Sequence, residues 1–292
     1  MPARILSALG ALAVWAGAYY VLIRPSQLRW GATPDEVTRP LPGDDLVARP
    51  SLHATRAITI AAPPEKIWPW IVQIGYHRAG FYGYDLIENL GSKSGIRSAV
   101  NIIPKFQHLS VGDKVYMSRI AWFKICDLRP NRILIWCDEA TPPQGAFTFA
   151  LFPLDEGHTR VVVRARIRFH WSDRRAPLDL FTEFGDHVAV PRMLLGMRDR
   201  IEGRPATPLA MQALELASWT ATLLEFTAAL FMVLARRYWW RQPAAALISG
   251  AILLFVLYAR APLWIGILLQ CPAVLAMRWA WRGPGTGLDF RK

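Results

Sequence analysis

The chain has 292 residues, with 34 Lys and Arg against 22 Asp and Glu; its formal net charge is +12, yet 19% of residues are charged and 53% hydrophobic. That balance excludes a disordered chain, and a mean hydropathy of +0.19 points to membrane segments. Residues 1–24 and 205–292 hold seven of the twelve excess charges, which leaves the polar middle without the basic stripe a nucleic-acid partner needs.

Residues 5–23 carry no charge and, at ~1.5 Å per residue, are long enough to cross a ~30 Å hydrocarbon core. Ala16-Gly17-Ala18 offers a small-residue cleavage site, but Tyr19, Tyr20 and further apolar residues follow it, which favours an uncleaved anchor over a signal peptide. Residues 25–54, with Pro34, Pro40, Pro42 and Pro50, show neither helical nor strand period and read as a connector.

From Arg56 to Ile60 polar and apolar residues alternate, as in a half-buried strand. Pro63-Pro64-Glu65 opens a helix whose apolar face is Ile67, Trp68, Ile71, Val72 and Ile74, with Pro69 expected to kink or restart it. Residues 81–90 are expected as a second short helix and 91–98 as a loop. Strands follow at 115–120, 123–128, 133–137, 147–152 and 159–169, with a turn at Arg129-Pro130-Asn131. In the last strand Val161, Val163, Ala165 and Ile167 point inward, and Arg160, Arg164, Arg166 and Arg168 outward onto a solvated face. A long helix at 178–202, bent near Pro191, closes the polar region. Helices segregated to the ends of an antiparallel meander mean an α+β fold, and a curved sheet around a long helix leaves an interior suited to a ligand.

Beyond it come apolar runs at 216–235, 244–259 and 263–277, the first ending in the interfacial Arg236-Arg237-Tyr238-Trp239-Trp240-Arg241. The last two are short for a crossing and read as two spans. Glu225, the acid inside the first run, is assigned a hydrogen bond to a neighbouring helix in preference to a proton-carrying role. The chain is thus expected to hold an N-terminal transmembrane anchor at 1–24, a connector at 25–54, a folded domain at 55–204 and a C-terminal membrane region at 205–292 with about three helices.

The stretch from Trp30-Gly31-Ala32-Thr33 to Arg39-Pro40-Leu41-Pro42-Gly43-Asp44 resembles the opening of uncharacterised bacterial members of the START-like (SRPBCC, helix-grip) superfamily. So do Ile67-Trp68-Pro69-Trp70-Ile71-Val72-Gln73-Ile74-Gly75-Tyr76, Gly80-Phe81-Tyr82-Gly83-Tyr84-Asp85 and Leu109-Ser110-Val111-Gly112-Asp113. The resemblance covers about residues 29–204. It implies a curved antiparallel sheet around a long C-terminal helix and an apolar ligand cavity, but no one reaction, because that superfamily hosts binders, carriers and enzymes.

Motifs for chemistry are scarce. The six histidines form no metal-binding pattern, Gly91-Ser92-Lys93-Ser94-Gly95 lacks the order of a phosphate loop, and no nucleophile elbow is present. No catalytic residue, metal or cofactor is assigned. Cys126 and Cys137 flank one turn without opposing each other and read as buried reduced thiols. Trp70, Tyr76, Tyr82 and Tyr84, with Gln73 and Asp85 as polar groups close by, are the expected ligand-binding residues. The expected function is membrane-tethered binding or transfer of a hydrophobic small molecule, such as a lipid or isoprenoid. A cavity enzyme of cyclase or hydrolase type, with Asp85 as acid or base, and a structural membrane module are the alternatives. Basic flanks balance on the two sides of the membrane; with no disulfide expected, the domain is assigned to the cytoplasmic face of the cell membrane.

Overall fold

In the computed structural model, residues 16–169 and 176–217 are described continuously, with scattered positions in 6–14 and 220–278. Gln27–Gln212 forms one compact unit, and the two ends of the chain form the other. No helix among the described residues is long and apolar enough to cross a membrane. The runs at 5–23, 216–235, 244–259 and 263–277 lie wholly or partly outside those residues, as does Glu225.

The larger unit is α+β. After α1 (Arg24–Leu28) and α2 (Pro34–Thr38) come β1 (Leu52–Ile60), α3 (Pro64–Val72) and α4 (Asp85–Glu88). Then follow β2 (Lys114–Tyr116), β3 (Trp122–Arg129), β4 (Ile133–Cys137), β5 (Gly145–Pro153), β6 (Thr159–Ile167) and α5 (Ala176–Ile201). The six strands form one antiparallel sheet in the order β1-β6-β5-β4-β3-β2. Packed on it is α5, whose 26 residues run about 39 Å. This is the helix-grip arrangement. Its core joins the inner face of the sheet (Ile58, Ile60, Leu134, Trp136, Phe149, Leu151, Val161, Val163) to α3 and to Val190, Met193, Leu194 and Met197 of α5.

Four details differ from the sequence reading. The second short helix shrinks to α4, because Gly80 and Tyr82 both adopt positive φ and break any helix before Tyr84. Of the kink or restart expected at Pro69, the restart does not occur: α3 runs on through it. Cys126 and Cys137 are disulfide-paired, with Cα atoms 5.9 Å apart, where reduced thiols were expected. The cause is a bulge in β3 between Ile125 and Asp127, which sets Cys126 beside Cys137 on the outer face.

The fourth difference concerns that outer face. The strand alternation of β6 is as read, but its arginines do not face water, because residues 27–50 lie across them as a strap. Arg160 Nε reaches Glu36 Oε1 at 2.7 Å, Arg164 Nη1 reaches Asp44 Oδ2 at 2.6 Å, and Arg166 Nε donates to the Val47 carbonyl at 3.1 Å. The hydrogen bond from Arg160 holds the Glu36 carboxyl below its ordinary range. A capping box on α2, Thr33 with Glu36, fixes the strap locally. Leu41 and Val47 are buried beneath it. At Gly31 the strap passes so close to β1 that a Cβ would stand 2.2 Å from the Ala57 carbonyl oxygen, so no side chain fits there.

Candidate functional site

The residues named from the sequence gather on the inner side of the sheet around the loop that follows α3. Gln73 caps α3, is fully buried, and donates from Nε2 to the Tyr82 hydroxyl at 2.9 Å. That hydroxyl donates in turn to the Trp70 carbonyl at 3.0 Å, and the Trp70 and Tyr82 rings meet edge to face at 5.7 Å. Gln73 Oε1 accepts from the Ile103 amide at 2.9 Å and from Gln107 Nε2 at 3.2 Å. Burial pushes the Tyr82 hydroxyl well above the usual tyrosine range. Tyr76 donates to the Leu90 carbonyl at 2.9 Å. These contacts lock the loop onto α3 and occupy the polar ends of three of the named side chains.

Asp85 lies at the start of α4, with Oδ1 accepting from the Ser98 amide and from Asn89 Nδ2, each at 3.1 Å. Its Oδ2 receives Gln212 Nε2 at 3.4 Å. Tyr84 is buried with the Arg192 guanidinium 5.4 Å above its ring, and Arg200 stands 5.0 Å over the ring of Tyr82. One turn on from Asp85, Glu88 folds back on Gly83, leaving its Oε2 buried with no hydrogen-bond partner among the described residues. Desolvation, with the neighbouring Asp85 charge, pushes the Glu88 carboxyl up to about 8. Tyr82, Gly83, Arg192, Arg200, Thr207 and Gln212 enclose a pocket of about 10 Å³, room for a single water.

A second group of polar residues sits deeper, between β1 and the first half of α5, and the sequence reading did not assemble it. Arg56 is fully buried on the inner face. Its Nη2 lies 2.7 Å from Asp186 Oδ2 and 2.8 Å from His187 Nδ1, and its Nε donates to the Gln27 carbonyl at 3.1 Å. For the guanidinium to donate, Nδ1 must accept; the ring proton then sits on Nε2, 3.4 Å from Glu183 Oε1. Arg56 Nη1, Asp186 Oδ1 and Gln27 Oε1 are buried with no hydrogen-bond partner among the described residues. Three such atoms in one cluster form an unfinished polar centre. Beside it Ala54 and Ala165, directly opposed in the sheet, are small residues on the inner face.

The polarity of α5 is reversed over this cluster. Asp179, Glu183, Asp186 and His187 face inward, whereas Leu178, Leu180 and Phe181 are 62%, 58% and 71% exposed. A signal for the cluster existed in the sequence: Arg56 shares the parity of the inward Ile58 and Ile60.

No family model matches the chain, and no curated protein matches it. Similar solved structures include a polyketide-cyclase-like protein from Corynebacterium glutamicum, 15% identical over 51% of this chain and 91% of its own, with a TM-score of 0.34. The Aha1 dimer from Colwellia psychrerythraea aligns at 18% identity over 51% of this chain and 96% of its own, with a TM-score of 0.30. A protein from Nitrosomonas europaea aligns at 13% identity over 52% and 94%, with a TM-score of 0.33.

Proposed function

We propose that the protein binds a hydrophobic small molecule bearing a polar group, inside a helix-grip domain tethered to a membrane by the apolar ends of the chain. The observation that carries this reading is the unfinished polar centre at Arg56, Asp186 and Gln27. A fold built for packing alone gains nothing from an ion pair there, because desolvating two charges costs about as much as their attraction returns. The core beneath the second half of α5 is filled by Met193, Leu194 and Met197, so the ligand seat falls beneath the first half. There the small Ala54 and Ala165 adjoin the free N–H of Arg56. Trp70, Gln73, Tyr76, Tyr82, Tyr84 and Asp85 remain proposed ligand-binding residues in this reading, with Tyr84 and Tyr82 beside Arg192 and Arg200 in the second half of α5.

The membrane side assigned from the sequence rested on unpaired thiols. The pairing of Cys126 with Cys137 favours an oxidising compartment instead, so the domain is proposed to face away from the cytoplasm.

The test uses the full chain purified in detergent, with its bound small molecules extracted and identified by mass spectrometry. An amphipathic compound is expected in stoichiometric amount, and it should be lost from an Arg56→Met/Asp186→Leu double variant that keeps its circular dichroism spectrum. A chain that copurifies with nothing and rejects fluorescent fatty-acid and sterol probes would remove the reading.

A further inference from the structure

The chain leaves its folded domain beside α4. Gln212 donates to Asp85 Oδ2 at 3.4 Å and to the Thr207 carbonyl at 3.1 Å, and Asp85 accepts from Ser98. One hydrogen-bonded group thus ties the exit point to α4 and to the loop beyond it. The apolar run at 216–235 begins four residues after Gln212. Four residues reach at most about 14 Å when fully extended and about 6 Å when helical. A membrane span that began at 216 would start within that distance of Gln212.

That edge has the character of a lipid-contacting surface. Ile87, Leu90 and Val100 are 60%, 68% and 60% exposed, far more than an apolar side chain with a packing partner. From 89 to 112 the sequence contains Lys93, Arg97 and Lys105 and no acidic residue. All three bases are exposed. Apolar tips interleaved with bases suit the boundary between headgroups and acyl chains of an anionic bilayer.

We propose that α4 and the loop at 89–105 seat the domain on an anionic lipid surface, with Ile87, Leu90 and Val100 at the acyl boundary and Lys93, Arg97 and Lys105 against the headgroups. The inference rests on the membrane tether of the proposed function and is independent of the ligand. It gives that tether a direction: the α4 edge faces the bilayer, and the outer strap, on the far side of the sheet, faces away.

The test places an environment-sensitive fluorophore on Ile87→Cys, Leu90→Cys or Ala48→Cys in a full chain carrying Cys271→Ser. Ala48 is exposed on the strap. The labelled chains are reconstituted into nanodiscs of phosphatidylcholine with and without phosphatidylglycerol. Probes at 87 and 90 should shift to the blue and be quenched by doxyl-labelled lipid, more strongly with phosphatidylglycerol, while the probe at 48 does neither. A Lys93→Gln/Arg97→Gln/Lys105→Gln variant should lose the phosphatidylglycerol increment. Water-like emission at 87 and 90 in a chain that resists carbonate extraction overturns the seating and leaves the tether. Release of the chain by carbonate overturns both, and equal shifts in the two lipids overturn the electrostatic half.

Discussion

Two buried arginines, Arg164 on the outer face of the sheet and Arg56 on the inner, are held in opposite ways. Arg164 donates to Thr55 Oγ1, to the carbonyls of Arg39, Glu36 and Val37, and to Asp44 Oδ2. Every arm of its fork has a partner, and all of them except Thr55 come from the strap. Arg56, one residue from Thr55 along β1, has partners for Nε and Nη2 but none for Nη1 among the described residues. A saturated arginine is an anchor, and an unsaturated one next to an orphaned carboxylate oxygen is the group proposed above to bind ligand. The same residue type in the same sheet therefore does structural work on one face and is left open on the other.

The largest expected effect breaks the anchor. Arg164→Leu takes the guanidinium from the Asp44 carboxylate and from three carbonyls beneath the strap, and should cost about 3 kcal/mol in chemical denaturation of the full chain. Limited proteolysis should then cut within 27–50 before it cuts the sheet; a strap as resistant as wild type would show that the arginine row is ornamental. The contrast is sharpened by the double variant on the inner face. Arg56→Met/Asp186→Leu replaces an unfinished pair by apolar groups and should be neutral or stabilising by about 1–3 kcal/mol, while bound ligand is lost. A large loss of stability in that variant would make Arg56 an anchor too, and erase the distinction.

Glu88 gives the next effect, through pH. Its folded carboxyl is pushed up to about 8 from an ordinary value of 4.5, so the folded state binds more protons than the unfolded state between those values. Stability from this group is therefore complete below pH 4.5 and is lost as pH rises through 8. Glu88→Gln should stabilise the chain by roughly 1–3 kcal/mol at pH 9 and leave it unchanged at pH 5, read as thermal midpoints across that range. A gain independent of pH would mean that the carboxyl titrates normally. Smallest is Thr33→Ala, which removes one arm of the capping box on α2 and should cost about 1 kcal/mol while the strap stays attached through Arg160 and Arg164.

Much of the sheet was legible from β-branched and alternating runs between turn residues: β4 matches its expected bounds, and β5, β6 and α5 match theirs within two residues. What covers the outer face was not legible. A strap of turns and one short helix has no period, and its contacts with β6 lie about 120 residues away in sequence. Thr33 and Glu36 did carry the spacing of a helix start inside the supposed connector, a local signal that something there was folded. The bulge that joins Cys126 to Cys137 is likewise invisible to a count of residues about Pro130, since one extra residue shifts the register. For the site, spacing led to the aromatic residues around Tyr82. It missed Arg56, whose partners on α5 are about 131 positions away and sit on a half-helix with reversed polarity.

The strap also sets an order of events in time. Residues 27–50 leave the ribosome before any of the sheet, yet the guanidiniums that hold them belong to β6, the last strand made. The arginine contacts of the strap are complete only once β6 has joined the sheet, and its pairing with β1 over so long a separation is slow. The arginine contacts are expected to form after the folding barrier has been crossed. Strap substitutions should leave the folding rate as it is and speed unfolding instead, which makes a segment synthesised before the sheet the latch that governs how long the finished domain stays closed.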